Sequence, residues 1–160
     1  MNNINQAFIN RWQFTRSETL EILENLTSEQ LQFKPEGEHW QPLSYQFACC
    51  ARKQLIYAKA VHEGKMDFSW FGSQEFPSKN AFATKDEIRD LLTEADQAWA
   101  NALNHAATST KIVWPDFSTP LVLHISNLLE HERMHLGQLI SYHTMAGYAL
   151  PPNFKRNWAL

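Results

Sequence analysis

Two histidines, His131 and His135, are the residues whose type and spacing best suit a chemical role in this sequence. They lie four residues apart in the apolar-periodic segment from Leu121 to Ala146, so on a helix their side chains stack on one face, one turn apart. Two imidazoles at this spacing can bind one metal ion. Gln138 lies on the same face, where its amide is placed to orient a substrate or a ligand. The pattern predicts a metal site on this helix.

The residues from His131 to His135 also match the H-E-x-x-H signature of zinc metalloproteases. That class needs a third ligand after the motif, but no Asp or Glu follows Glu132 in the chain. The longer metzincin spacing fails as well, because Gly137 stands one position early and Ser141 occupies the place of the third histidine. The sequence therefore disfavours a protease. Glu132 points about 100° around the helix from His131 and is retained as a candidate general base.

A third metal ligand has to come from another helix. His124 and His143 are seven and eight residues from the nearer member of the pair. The helical rise puts them about 10 Å away, too far to share one ion. The candidates in the other predicted helices are Cys49, Cys50, His62 and His105. A buried free cysteine is commonly an inert core residue, so a thiolate ligand gains support only from the two imidazoles that need a partner.

Hydrophobic periodicity predicts four long helices, over residues 4–26, 41–62, 84–107 and 119–146. The third has the clearest start signal, a capping box formed by Thr84 and Glu87. The fourth has Pro120 at its first helical position and Gly147 as its C-cap.

Strands are not predicted, apart from a briefly extended stretch at residues 112–114. A second capping-box pattern, from Thr27 to Gln30, predicts a short extra turn after the first helix. Four long helices with short connections in one domain, residues 1–160, predict an all-α four-helix bundle.

The connection from Gly64 to Asn80 is unusually apolar for a loop. Its aromatic residues, with one that follows just after it, are Phe68, Trp70, Phe71, Phe76 and Phe82. Two interpretations stay open: the segment closes the end of the core, or it forms a lid over a pocket.

Composition excludes several classes of partner. A formal charge of −3 and a pI near 6.1 give no electrostatic footprint for nucleic acid, and no basic stripe suits an anionic membrane. No apolar stretch reaches membrane-spanning length, and residues 1–6 lack the features of a signal peptide. Cys49 and Cys50 are adjacent and do not indicate a disulfide framework, so we expect a cytoplasmic protein.

Two segments resemble the DinB-like/YfiT-like superfamily of metal-binding four-helix bundles. They are His131-x3-His135-Leu136-Gly137-Gln138 in the last long helix and Phe47-Ala48-Cys49-Cys50-Ala51-Arg52 in the second. The resemblance extends to helix count and order along essentially the whole chain, and it implies an all-α, DinB-like four-helix bundle. Members typically hold a divalent metal with three histidines, one from the second helix and two from the fourth. Some act as metal-dependent transferases on low-molecular-weight thiols, and others as isomerases or hydrolases.

The chain departs from the family pattern at one ligand, because Cys49 stands where the second helix normally has histidine. One hypothesis is a site made of Cys49, His131 and His135 with an open fourth position. One sulfur and two nitrogens in tetrahedral geometry favour zinc, with nickel or iron as alternatives. The other hypothesis is a degenerate site that binds metal weakly or not at all. A register error of one residue would put Cys50 in place of Cys49.

Two functions follow from these hypotheses. The first is a metal-dependent enzyme, a transferase or hydrolase, acting on a small-molecule thiol or a related nucleophile, with Gln138 and Glu132 as its candidate catalytic residues. The second is a non-catalytic bundle that binds a small molecule or a partner. A homodimer is expected from the resemblance and from the excess of aromatic residues.

Overall fold

The computed structural model describes residues 3–80, 82–107 and 109–160, with side chains from residue 6 onward. Four long helices form the bundle: α1 (Asn3–Glu24), α2 (Leu43–Glu63), α3 (Lys85–His105) and α4 (Leu121–Ala146). A seven-residue helix, α5 (Pro152–Trp158), follows them. No helix in the described part of the chain combines the length and the apolar character that a membrane crossing requires.

Helix α2 is the central element, because it packs against both α3 and α4, while α1 packs mainly against α4. The fold is therefore the predicted all-α bundle. Its apolar core is divided into two clusters, one around Trp99 and Ile125 and the other around Phe47 and Leu92. Between the two clusters lies a layer of polar side chains, and the residues singled out for chemistry lie in this layer.

The helix signals in the sequence correspond to observed contacts. Thr84 and Glu87 form the predicted capping box at the start of α3. Thr27 and Gln30 exchange side-chain and backbone hydrogen bonds in the same way and begin a short 3₁₀ turn. Gly147 ends α4 in the left-handed conformation, at φ 68°, which a glycine adopts without strain.

The extended stretch predicted at residues 112–114 belongs to a strand, and the strand that pairs with it was not predicted. Strands β1 (Lys111–Val113) and β2 (Ser118–Pro120) form an antiparallel hairpin before α4. Both strands are too short to show an alternating pattern. Pro120 was expected at the first position of α4, but it is the last residue of β2, and the helix begins at Leu121. After α4 the chain begins the short helix α5 at Pro152, a position at which proline is tolerated.

The segment from Gly64 to Asn80 is fastened to α2 by Arg52. The Arg52 guanidinium donates hydrogen bonds to five backbone carbonyls of this segment, at distances from 2.5 to 3.4 Å. Trp70 and Phe76 are buried in the core, whereas Phe68 and Phe71 remain exposed. The segment thus closes one end of the core, as the first interpretation expected, and it presents some aromatic surface to solvent.

His124 is one of the core residues, and it gives the first testable prediction. Its ring stacks on Tyr57, and its Nε2–H donates to the Tyr57 carbonyl at 3.2 Å. Burial lowers the pKa of His124 from 6.5 to about 4. Between these pH values the unfolded chain gains a proton that the folded protein does not. Stability should therefore fall on acidification, by about 3 kcal/mol from this residue.

The measurement is urea unfolding of wild type and His124→Gln between pH 7 and 4.5. Glutamine keeps a donor for the Tyr57 carbonyl but does not titrate. The variant should lose less stability than wild type over this range. Equal losses would contradict the assignment of acid sensitivity to His124.

Candidate metal centre

Three side chains from two facing helices converge in the polar layer of the bundle. Cys49 comes from α2, and His131 and His135 come from α4. The Cys49 Sγ lies 3.8 Å from the His131 Nε2, and the two Nε2 atoms are 3.2 Å apart. All three potential ligand atoms lie within 4.8 Å of one another. The helical spacing of the histidines places both rings on the same face toward α2, as the sequence predicted.

These distances fit a tetrahedral ion. Zinc bonds of about 2.0–2.1 Å to nitrogen and 2.3 Å to sulfur put two nitrogen ligands about 3.3 Å apart, and a sulfur about 3.6 Å from a nitrogen. The observed separations of 3.2 and 3.8 Å are close to both values. The donor set of one thiolate and two imidazoles is also one that zinc favours.

A chain of hydrogen bonds fixes which nitrogen of His135 is free. The Gln41 carbonyl can only accept, so the Tyr142 hydroxyl donates to it, at 2.6 Å. The Tyr142 oxygen then accepts from the Gln46 Nε2, at 3.2 Å. This leaves the Gln46 Oε1 to accept from the His135 Nδ1–H, at 2.7 Å. In neutral His135 the Nε2 lone pair is therefore unprotonated and directed at the cluster.

His131 has no such partner. Its Nδ1 is buried and makes no hydrogen bond within the described residues. Its Nε2 lies 3.2 Å from the His135 Nε2, and in the tautomer with a proton on Nε2 it donates to that lone pair. Its tautomer is thus free to change when both Nε2 atoms are needed as ligands.

The protonation states suit metal binding. Burial lowers the pKa of His131 from 6.5 to about 2 and that of His135 to about 4, so both rings are neutral at physiological pH. Burial raises the pKa of the Cys49 thiol, and the charges of Lys79, Lys53 and Arg52 oppose that rise. The thiol is consequently the only one of the three groups that has to lose a proton when it becomes a ligand.

The cluster forms part of the wall of a cavity of about 450 Å³. The other side chains that line it are mainly aromatic or amide-bearing: His39, Trp40, Gln41, Tyr45, Gln46, Met134, Gln138 and Tyr142. The Gln138 Oε1 is buried, lies close enough to His135 to raise the pKa of that ring, and has no well-aligned hydrogen-bond donor in the described part of the chain. An unsatisfied acceptor beside the cluster is suited to a hydrogen bond from a bound molecule.

Glu132 is not brought to the cluster. It is 1% exposed and faces α1, where its carboxylate accepts from the Thr19 hydroxyl at 2.7 Å and pairs with Arg16 at 3.0 Å. It is absent from the lining of the cavity. The reason is the rotation of about 100° per residue, which turns it away from its neighbour His131. The Glu132 carboxylate therefore makes a structural contact with α1, whereas the sequence suggested that it acts as a general base at the cluster.

The other candidate ligands also lie elsewhere. Cys50 is fully buried on a face of α2 turned about 100° from Cys49, where Glu132 and Arg16 affect its pKa, so Cys49 is the cysteine that faces the cluster. His105 is exposed at the end of α3. His143 donates from its Nδ1 to the Leu139 carbonyl, one turn back in α4.

Sequence reasoning missed Gln46 and Tyr142. Gln46 precedes Cys49 by three residues, and Tyr142 follows His135 by seven, so both share a helix face with a ligand. That spacing was the available signal. Their role depends on the contact between α2 and α4, which a single sequence does not reveal.

The hydrogen-bond chain gives a second prediction. Gln46→Leu removes the acceptor for the His135 Nδ1–H and should weaken zinc binding about 10- to 100-fold. Gln46→Glu keeps an acceptor at that atom and should bind much more tightly than Gln46→Leu. Competition with a chromophoric chelator measures the affinities. Gln97→Leu, at an exposed position of α3, is the control. Equal affinities for the two Gln46 variants would refute the orienting role.

Comparison with known proteins gives a family and a fold. The DinB superfamily profile matches residues 11–139. A DinB-like protein from Bacillus cereus has a solved structure similar to this one, with a TM-score of 0.68, 18% identity, and coverage of 91% of this chain and 95% of that one. The solved structure of a DinB-like protein from Bacillus subtilis is similar with a TM-score of 0.65 and 18% identity, and the match covers 94% of this chain and 96% of that one. At this identity the likeness concerns the fold alone. No curated protein sequence matches the chain.

Proposed function

Since the chain belongs to the DinB superfamily, we propose that it binds a divalent metal ion, zinc in preference to nickel or iron, through Cys49, His131 and His135. We further propose that the metal serves a transferase reaction on a small-molecule thiol. The observation that carries the proposal is the convergence of three ligand atoms, within 4.8 Å, on the wall of a cavity.

Three protein ligands leave room for a fourth group from solution, which is the arrangement of catalytic rather than structural zinc sites. A zinc ion held here would lower the pKa of a thiol or a water molecule and keep it deprotonated. Cys49 supplies the one negative charge among the ligands, and His131 and His135 bind as neutral rings. The 450 Å³ cavity is large enough for a small molecule.

Gln138 and the aromatic wall would position the substrate. The Gln138 Oε1, which is buried beside the cluster, would accept a hydrogen bond from it. Trp40 and Met134 line the same cavity and are both partly exposed, so they lie where a substrate enters. Glu132 has no part in this proposal, because its carboxylate is held by Arg16 and Thr19.

The test is elemental analysis of protein purified without added metal, beside His131→Ala. We expect about one ion per chain in wild type and at least about tenfold less in the variant, because two protein ligands hold zinc poorly. His105→Ala, which changes an exposed histidine of α3, is the matched control and should retain the metal. The same analysis identifies the element.

Negligible metal in both wild type and His131→Ala would remove the proposal. A chelator should also lower the unfolding temperature of wild type and leave that of His131→Ala unchanged. If the unfolding temperature of wild type does not change with the chelator but rises with small apolar ligands, the non-catalytic binding bundle is favoured.

A further inference from the structure

A second, smaller cavity adjoins the cluster. It has a volume of about 190 Å³ and shares Cys49 and His131 with the larger one. Its remaining wall carries Arg52, Lys53, Phe71 and Lys79, so three of its side chains are cationic and none is acidic. A molecule bound at the cluster is therefore close to a cationic wall as well as to aromatic surface.

The three cations of this wall differ in their partners. Arg52 is fully used by the backbone carbonyls of the 64–80 segment. Lys53 and Lys79 are half-buried, and their ammonium groups lie over the rings of Tyr57 and Tyr45, at 5.2 and 4.9 Å. Within the described ranges, the lysines that form ion pairs are Lys59, Lys65 and Lys85, so neither of these two is paired.

The positive charges of Lys53 and Lys79 act on the three side chains of the cluster. Lys53 and Lys79 both affect the pKa values of Cys49, His131 and His135, and no carboxylate does so. Burial lowers the pKa of Lys53 itself, and the charges of Cys49, Cys50 and Glu130 oppose this decrease without cancelling it. Glu130, the acidic residue that acts on Lys53, is exposed and accepts a hydrogen bond from Ser126.

A divalent ion bound to one thiolate and two neutral imidazoles keeps one positive charge, and the two ammonium groups add to it. Half-buried positive charges without partners are stabilised by an anion, and a charge-assisted hydrogen bond to a lysine is among the stronger polar contacts. The wall is therefore complementary to a small molecule that carries negative charge in addition to its thiol.

We propose that the cationic wall formed by Lys53 and Lys79 binds an anionic substrate, with a carboxylate in contact with one ammonium group and attracted by the other, so that the substrate is a small thiol that also carries a carboxylate group. The inference rests on the proposed function for the thiol, but the anion site stands on the lysines alone. Lys53 and Lys79 are then the residues that determine specificity, and Arg52 is the positioning residue that holds the Lys79 segment against α2.

The experiment compares mercaptoacetate with 2-mercaptoethanol, which has a similar size but no charge, by calorimetric titration of the zinc-loaded protein. One charge-assisted contact predicts a preference of about tenfold or more for mercaptoacetate. The preference should disappear in Lys53→Met/Lys79→Met and decrease in Lys79→Met alone. It should persist in Lys155→Met, which removes an exposed charge from α5. A preference that is absent from wild type, or that survives the double substitution, would overturn the proposal.

A second arm uses metal-free protein and acetate, followed by backbone amide NMR. We expect the amide signals of Lys53 and Lys79 to shift in wild type and in Lys155→Met, and to stay unchanged in the double variant. Absence of shifts in wild type would refute the anion site. If the protein takes up no zinc but these shifts occur, the metal proposal fails and the anion site survives, so the two failures are distinguishable.

Discussion

Arg16→Met is expected to lower the free energy of unfolding by about 3–5 kcal/mol, the cost of leaving a buried charge without its partner. Arg16 lies 3.0 Å from Glu132 of α4 and 3.3 Å from Asp96 of α3, and it also donates to the Gln54 amide of α2. One guanidinium thus joins all four long helices at the polar layer between the two apolar clusters. Methionine fills a similar volume but leaves the Glu132 carboxylate buried and uncompensated.

Urea unfolding at two pH values tests this expectation. Burial raises the pKa of Glu132, and Arg16 opposes the rise, so without Arg16 the carboxyl group takes up a proton more readily. A carboxyl group whose pKa is higher in the folded state makes the free energy of unfolding decrease as the pH rises. The free energy of unfolding of the variant should therefore be closer to that of wild type at pH 5 than at pH 8. Arg11→Met, at an exposed position of the same helix, should change stability by less than about 0.5 kcal/mol. A small loss for Arg16→Met at pH 8 would show that the network contributes little.

Cys49→Ala is expected to weaken zinc binding by about 100-fold or more, because it removes the one anionic ligand of the centre. Cys49→His should restore binding, because it supplies a third imidazole, and should reduce the preference for zinc and other thiophilic ions relative to nickel. Affinities for zinc and nickel, measured by chelator competition, decide both expectations.

The matched control is Cys50→Ala, since Cys50 is buried on a face of α2 turned about 100° from Cys49 and is not one of the three clustered ligands. It should cost stability through the lost packing but leave the zinc affinity unchanged. If Cys49→Ala binds zinc as tightly as wild type, the sulfur is not a ligand, and a degenerate two-histidine site is the better description.

The fold could be predicted largely from sequence because its signals are local. Helical periodicity, the Thr84 capping box and the Gly147 C-cap each depend on residues within a few positions of one another. The hairpin before α4 could not be predicted, because two three-residue strands are stabilised by their pairing, Ile112 against Thr119, and not by their own pattern. Helix α5 escaped notice because its length gives scarcely two turns of periodicity.

The candidate site could be predicted in part. The offset of His131 and His135 is a local signal, and the resemblance supplied Cys49 as their partner. Glu132 shows the limit of a motif: it is adjacent to a proposed ligand in sequence but faces α1 in the bundle. Gln46, Lys53 and Lys79 gain their roles only from contacts between elements distant in sequence. The homodimer and the cytoplasmic location stay predictions.

The polar layer has an evolutionary consequence. Because Glu132 and His131 are consecutive on α4, the ion pair with Arg16 contributes, together with the packed apolar residues of α4, to the rotation of that helix and thereby to the direction of both imidazoles. Lineages that alter the pair on α4 would have to remodel the interior at the same time. The ligand on α2 is less constrained, since within the described residues Cys49 forms no hydrogen bond or ion pair with Arg16 or its partners. Substitutions that change the type of ligand, and with it the metal preference, should therefore occur more often at position 49 than at the two histidines.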